Sequence, residues 1–139
     1  MKPRTLPSEE RQAVLDRISR RLSEKEGILF AYVHGSFLRG PFRDIDIAVY
    51  FRREETLPDP NAYETALEQE LKKEVGMPVD VRVITGSPLP FAYTVISTGQ
   101  LIFSKDVRAR SDFECRVLTK YHDFSYYRKR YRREALGLV

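Results

Sequence analysis

Two aspartates stand two positions apart in the apolar segment 44–50, a spacing that suits a metal-dependent site. If the segment is a β-strand, Asp44 and Asp46 leave the same face with Cβ atoms ~7 Å apart, because side chains alternate with a period of two. Two carboxylates so close repel and raise each other's pKa, and a bound divalent cation removes the repulsion. Magnesium takes one or two protein carboxylates and completes its shell with phosphate oxygens and water. A bare D-x-D pattern also fits the hydrated face of a half-exposed sheet.

A third acid, Asp80, lies in the segment Val79–Ile84, where valines alternate with polar residues. The alternation predicts a strand with Asp80 and Arg82 on one face. Asp80 can lie beside the other two carboxylates if the two strands are neighbours, a pairing that the sequence leaves open. Arg82 would then either screen Asp80 or contact a nucleotide.

A glycine–serine pair, Gly35 and Ser36, directly follows an apolar run and precedes the aspartates by a short loop. Gly35 lets the backbone approach a phosphate, to which the Ser36 hydroxyl and the following amides can donate hydrogen bonds. Arg39 and Arg43 add positive charge to the loop, so we take all four residues as candidates for nucleotide binding. A lone Gly-Ser pair is an ordinary turn, but one between a buried strand and an Asp-x-Asp strand is far more specific. His34, just before the glycine, is interpreted as a strand-end residue with a satisfied hydrogen bond in preference to a phosphate contact.

Helix and strand signals alternate along the chain and define the frame for these residues. Apolar residues repeat every three to four positions in the helical segments and every two in the strands. This order implies an α/β or α+β fold, a mixed sheet of about four strands with helices packed on its apolar face. The predicted elements are a helix from Ser8 to Gly27, strands over 28–34 and 44–50, a helix from Asp59 to Gly76, a strand over 79–84, a helix over 89–98, a strand over 100–104 and a long helix from Asp106.

The composition describes one folded domain. With 139 residues, 42% of them hydrophobic, the chain is long enough to bury a core and is not wholly disordered. No apolar run is long enough to span a membrane, no apolar leader follows Met1, and the single Cys115 fits a reducing cytoplasm. We divide the domain 1–139 into a catalytic core, 1–104, and a C-terminal helix, 105–139.

The C-terminal helix carries the most basic stretch of the chain. Five arginines and lysines lie between positions 128 and 133, with Tyr131 among them and Tyr126 and Tyr127 just before them. Such a run is either a solvated helix face or a contact for phosphates or for an acidic partner. Residues at helical spacing predict one apolar stripe along this helix, formed by Phe113, Val117, Tyr121, Phe124, Tyr127 and Tyr131.

The segment from Gly35 to Val49 resembles the G-S…D-x-D signature of the DNA-polymerase-β-like nucleotidyltransferases, and Asp80 resembles their third acidic position. Within that superfamily the chain is similar to the minimal nucleotidyltransferases (MNT) that act as antitoxins beside HEPN-domain toxins. The catalytic motifs cover Gly35 to Asp80. The loop between Ser36 and Asp44 is shorter than in the common family pattern, which implies a tighter phosphate loop.

The resemblance implies a polymerase-β-like fold and a reaction that uses two magnesium ions and ATP as the substrate. Asp44 and Asp46 would bridge the two ions and the triphosphate, and Asp80 would bind the ion nearer the acceptor and help to deprotonate the attacking hydroxyl. The resemblance also implies a partner, a cognate HEPN toxin. In this interpretation a tyrosine of the toxin receives AMP within a hetero-oligomer, in the cytoplasm and without a membrane.

Two other functions fit the same sequence. In one, the metal site is vestigial and the chain neutralises its partner by binding alone, although all three acids are present. In the other, the chain transfers a nucleotide to a small molecule or to an RNA end, with the basic terminus as an RNA contact. We favour a protein acceptor over nucleic acid, because little of the chain is left beyond the core to hold another acceptor.

Overall fold

Alternating helix and strand segments fold into one sheet with helices packed against it. The computed structural model describes residues 2–52, 59–135 and 137, and between 124 and 135 it describes only the side chains of residues 129, 132 and 133. The predicted order of elements is confirmed. The elements are α1 (Ser8–Ser23), β1 (Ile28–His34), a 3-10 turn (Gly35–Leu38), β2 (Ile45–Phe51), α2 (Pro60–Val75), β3 (Val79–Val83), α3 (Leu89–Thr98), β4 (Gln100–Ser104) and α4 (Val107–Ala135).

The strand pairing shows which strands are neighbours, a question that the sequence left open. The order across the sheet is β3-β2-β1-β4, with β1 antiparallel to both β2 and β4 and with β2 parallel to β3. A parallel pair needs a crossover connection, and α2 provides it. Strands β2 and β3 are therefore neighbours, and Asp46 lies opposite Asp80 in their register. The prediction of a mixed, four-stranded fold is confirmed.

Helix α2 begins and ends where side-chain chemistry predicts. The Asp59 carboxylate accepts a hydrogen bond from the Ala62 amide at 3.1 Å, and Pro60 occupies the first turn. At the other end Gly76 adopts a φ of 71°, a left-handed conformation that ends the helix. These ends hold α2 in the register that buries Leu67 and Leu71.

Helix α1 begins at Ser8, as predicted, but ends earlier than predicted. Ser8 is its first helical residue, and the Pro7 carbonyl accepts the first helical hydrogen bond, from the Arg11 amide at 3.0 Å. The helix ends at Ser23, four residues before Gly27. It ends there because the buried stripe ends one residue earlier and a tight turn then leads into β1.

Helices cover both faces of the sheet, so the prediction that they pack on one face is wrong. Strands β1 and β2 are central, and nearly every residue in them is buried. Helices α1 and α2 pack on the face that carries Ile45, Ile47 and Val49, which we call the core face. Helices α3 and α4 pack on the opposite face. Because side chains alternate along β2, that face carries Asp46 and Tyr50, and we call it the carboxylate face.

The first half of α4 is anchored to the carboxylate face. Phe113 and Val117 are buried there, as the apolar stripe predicts. Between them Glu114 accepts a hydrogen bond from the Tyr32 hydroxyl at 2.8 Å and pairs with Arg110 at 3.0 Å. A buried hydroxyl is thus satisfied by a charged acceptor from the helix, which fixes the position of α4 along β1.

Further along α4 the stripe meets α3 and then passes beyond the described side chains. Tyr121 stacks on Tyr93 of α3, with ring centroids 3.7 Å apart and the planes 4° from parallel. The next three members, Phe124, Tyr127 and Tyr131, have side chains outside the described part of the structure. None of the described helices combines the length and the apolarity that a membrane span requires.

Candidate functional site

Side chains from three adjacent strands form one row on the carboxylate face. Asp80 of β3 lies opposite Asp46 of β2, and Asp46 lies opposite His34 of β1. Neighbouring strands are about 4.8 Å apart, so the two carboxylates emerge side by side. Asp44 was predicted to lie in the strand 44–50, but it is exposed and lies one residue before β2, which begins at Ile45. The fold thus brings the three predicted acids to one end of the sheet.

The carboxylates at this end of the sheet repel one another. The pKa of Asp46 is raised from 3.8 to about 6, with burial as the largest cause. The negative charges of Asp44 and then Asp80 raise it in the same direction, and the positive charge of Arg82 acts against them. The repulsion expected between the acids is therefore present at Asp46. A cation bound at the row would relieve it.

The turn after β1 brings Gly35 against the Asp46 carboxylate. Gly35 opens the 3-10 turn with a φ of 80°, a conformation that residues with a side chain rarely adopt. A Cβ atom at this position would overlap the Asp46 Oδ2 atom. The glycine was expected to let a phosphate approach, and the structure gives it a further reason. It leaves room for the carboxylate on the neighbouring strand.

The other predicted nucleotide-binding residues lie in or shortly after this turn, and none of them pairs with the acids within the described residues. Ser36 is exposed, and its carbonyl accepts hydrogen bonds from the amides of Arg39 and Gly40 at 3.0 and 3.1 Å. Arg39 and Arg43 are exposed, and neither forms an ion pair within the described residues. Both guanidinium groups are therefore available to an anionic ligand near the turn.

His34 belongs to the row, which the sequence did not reveal. Its Nε2 atom is buried and has no hydrogen-bond partner in the described structure, so the predicted hydrogen bond is not present at this atom. Its ring instead meets the Phe91 ring edge to face, with centroids 5.7 Å apart. Burial lowers the pKa of His34, and the opposing effect of Asp80 is smaller. Its place opposite Asp46 follows from the hairpin register, for which the sequence carries no direct signal.

Arg82 forms an ion pair with Asp80 of the row. Its Nε atom lies 3.9 Å from Asp80 Oδ2, and its side chain is 63% exposed. Such a long, exposed ion pair contributes little to stability. Across the pair of strands Arg82 faces Ala48, whose small side chain leaves the guanidinium open to solvent. Of the two roles considered for Arg82, the structure therefore supports at least partial screening of Asp80.

The row suits a hard divalent cation by the chemistry of its donors. In the described residues no group of three His, Cys, Asp or Glu side chains is arranged to hold a metal ion. Magnesium does not need such a set, because substrate phosphates and water supply most of its ligands. The paired Asp46 and Asp80, with Asp44 beside them and an elevated pKa at Asp46, are the residues that would hold it.

Comparison with known families agrees with this arrangement. A family model described as "Polymerase beta, Nucleotidyltransferase" matches residues 16–108, about two thirds of the chain. The matched region contains the glycine turn and all three acids. The chain therefore belongs to the polymerase beta nucleotidyltransferase family.

Several solved structures share the fold over almost the whole chain. A chain of the Shewanella oneidensis complex between tri-AMPylated HEPN toxin and MNT antitoxin matches with a TM-score of 0.70 and 20% identity, covering 91% of this chain and 98% of that one. A chain of the toxin–antitoxin MntA-HepT matches with a TM-score of 0.68 and 19% identity, covering 90% and 98%. A chain of a toxin–antitoxin structure with AMP-PNP gives 0.64 and 19%, covering 94% and 99%. At these identities the likeness establishes the fold. No curated protein matches the sequence.

Proposed function

We propose that this chain transfers a nucleoside monophosphate, AMP from ATP, to a hydroxyl group of a partner protein. The partner is a cognate HEPN toxin, the acceptor is a tyrosine, and the modification makes the chain an antitoxin in the cytoplasm. The observation that carries the proposal is the pairing of Asp46 with Asp80 beside the Gly35 turn. The structural neighbours named above support the choice of nucleotide and of partner.

Each residue has a role in this proposal. Gly35 and Ser36 hold the triphosphate through the backbone of the turn, and Arg39 and Arg43 add charge to its outer phosphates. The three acids would hold magnesium, two ions as the family resemblance implies, and the bound ions would neutralise charge on the triphosphate and on the departing pyrophosphate. The candidate ligands are Asp44, Asp46 and Asp80.

The transfer is a single displacement at phosphorus. The acceptor oxygen forms a bond to the α-phosphorus, and the bond from that phosphorus to the pyrophosphate oxygen breaks. Asp80 takes the proton of the attacking hydroxyl, which suits a carboxylate at the outer edge of the row. The products are the AMP ester of the partner and pyrophosphate.

We further propose that the C-terminal helix docks the partner. Helix α4 continues for fourteen residues beyond Tyr121, the position at which it stacks on α3. Deleting residues 126–139 should leave magnesium–nucleotide binding within about twofold of the full chain and weaken capture of the partner by about tenfold or more. A pull-down with the partner and calorimetry with a nucleotide analogue measure the two effects. Full capture by the shortened chain would contradict this role.

The function is tested by incubating the chain with magnesium, ATP and the protein encoded by the neighbouring gene, followed by intact-mass measurement. We expect AMP to be added to the partner. The Asp44→Asn/Asp46→Asn variant should reduce the rate by about a thousandfold or more, equivalent to ~4 kcal/mol of transition-state stabilisation. If this variant inhibits the partner as effectively as the wild type does, and neither adds mass to the partner, the result would favour neutralisation by binding alone. Transfer to RNA or to a small molecule instead would contradict the choice of acceptor.

A further inference from the structure

An apolar groove lies on the carboxylate face, on the side of α3 away from the carboxylate row. It encloses about 360 Å³ between α3, α4 and the turn that follows β3, a volume within the range of small binding pockets. We call it the α3–α4 groove. Its apolar lining includes Tyr50, Ile84, Leu89, Phe113 and Val117.

The rim of the α3–α4 groove is cationic. Arg116 and Lys120 line it one helical turn apart on α4, and no aspartate or glutamate lines it in the described structure. Neither cation forms an ion pair with a described residue. Ser87 also lines the groove, and its hydroxyl is buried without a described hydrogen-bond partner. The matching occupant combines an apolar group with negative charge.

The distance between the groove and the carboxylate row limits which kind of occupant can reach both. Tyr50 in its floor lies four residues beyond Asp46 on the same face of β2, which corresponds to about 13 Å. Helix α3 lies between them, because Phe91 contacts His34 in the row whereas Leu89 lines the groove. A small molecule that fills the groove therefore cannot also place a hydroxyl at the carboxylates. A protein seated in the groove can, since neighbouring segments span such a distance.

We propose that the α3–α4 groove anchors the acceptor protein through an apolar side chain flanked by acidic residues. The apolar side chain packs against Leu89 and Phe113, and the acidic residues meet Arg116 and Lys120. Seated there, the acceptor protein lies on the face of the sheet that carries Asp46, where its hydroxyl can reach the row. The inference rests on the proposed function and deepens it, since it names the surface and the chemistry that select the acceptor.

Charge reversal on the rim tests the proposal against a matched control. In Arg116→Glu/Lys120→Glu the groove becomes acidic. The control, Arg17→Glu/Lys73→Glu, makes the same change of charge at exposed positions of α1 and α2, which cover the core face. A second variant, Leu89→Trp, fills the groove without a change of charge. The probe is the HEPN-domain protein encoded by the neighbouring gene, with magnesium, ATP and the full chain.

Both groove variants should weaken binding of the partner and raise the KM for its modification by about tenfold or more, with kcat within about twofold. The control and the affinity for a magnesium–nucleotide analogue should stay within about twofold of the wild type. Unchanged partner affinity in both groove variants overturns the anchor and leaves the proposed function intact. Loss of nucleotide affinity in the groove variants also overturns it, because the groove would then belong to the nucleotide site. If the wild type neither binds nor modifies the partner, the proposed function fails and the anchor fails with it.

Discussion

The two faces of β2 carry out different tasks with alternate residues of one strand. On the core face Ile45, Ile47 and Val49 are fully buried against α1 and α2, and they contribute only apolar contact. On the carboxylate face the same strand presents Asp46 at one end and Tyr50, buried beneath α4, at the other. The core face is thus uniform, whereas the carboxylate face changes along the strand from charge to aromatic packing.

This difference shows how a short chain holds a repulsive site. The acids are unfavourable neighbours, because burial and then the charges of Asp44 and Asp80 raise the pKa of Asp46. Apolar burial on the core face stabilises the strands without any contribution from the acids. The row is therefore not needed for stability and can bind a ligand. We therefore expect substitutions on the core face to change stability and substitutions at the row to change ligand binding. The predictions below test that separation from the largest effect to the smallest.

The largest effect is expected at the glycine turn. Gly35→Ala should reduce magnesium–nucleotide affinity by about a hundredfold or more, because the new Cβ atom displaces the Asp46 carboxylate. It should also destabilise the fold by about 1 kcal/mol, because the φ of Gly35 is positive. Gly40→Ala on the same loop is the control, since nothing lies within 4 Å of its added Cβ atom. Calorimetric titration measures the affinities. Equal affinities in the two variants would contradict the role of Gly35.

On the core face, Leu71→Ala should lower the free energy of unfolding by about 3 kcal/mol, because Leu71 is fully buried in α2. Nucleotide affinity should remain within about twofold, measured well below the melting temperature. Lys72→Ala, at the exposed neighbouring position, should change the unfolding free energy by no more than about 0.5 kcal/mol. Urea denaturation provides these values. A large loss of affinity in folded Leu71→Ala would show that the two faces are coupled.

The aromatic end of the carboxylate face should behave like the core face. Tyr32→Phe removes the hydrogen bond to Glu114 and should lower the free energy of unfolding by about 1 kcal/mol, with nucleotide affinity retained. A double-mutant cycle with Glu114→Ala isolates this hydrogen bond. A coupling energy near zero would mean that the hydrogen bond does not hold α4 to β1.

The smallest effect concerns the pH dependence of stability. The pKa of Asp46 is higher in the folded chain, about 6, than its ordinary value of 3.8. Folding therefore favours the protonated carboxyl, and this contribution is full below about pH 4 and is lost as the pH rises through 6. Asp46→Asn should consequently raise the free energy of unfolding at pH 7.5 by about 1 kcal/mol, allowing for solvent screening, and change it little at pH 4. Denaturation at the two pH values measures the difference. An equal gain at both would assign it to a cause other than ionisation.

Local chemistry made most of the elements predictable from sequence. Asp59, Pro60 and Gly76 set the ends of α2 through interactions within a few residues, so its bounds needed no knowledge of the rest of the fold. The alternation in β2 likewise assigned Asp46 to the face opposite Ile47. The glycine turn and the acids were identified as candidate site residues from residue types and spacing, and the family resemblance implied their roles.

Features that depend on tertiary pairing could not be predicted in the same way. The sequence did not indicate that β2 and β3 are neighbours, which is what brings Asp80 to Asp46. It also did not place helices on both faces, because alternate apolar residues in β1 and β2 fit a half-exposed sheet as well as a central strand. His34 was missed for the same reason, since its place in the row depends on the register of β1 against β2.

The central claim has two parts: ionised Asp46 lowers the stability of the fold, and the same carboxylate belongs to the proposed magnesium–nucleotide site. The most direct test is calorimetric titration of magnesium and a non-hydrolysable ATP analogue into the Asp46→Asn variant at pH 7.5, compared with the wild type. We predict that the affinity falls by about a hundredfold or more in a variant that is at least as stable as the wild type. Undiminished affinity in a fully folded Asp46→Asn protein would contradict the claim.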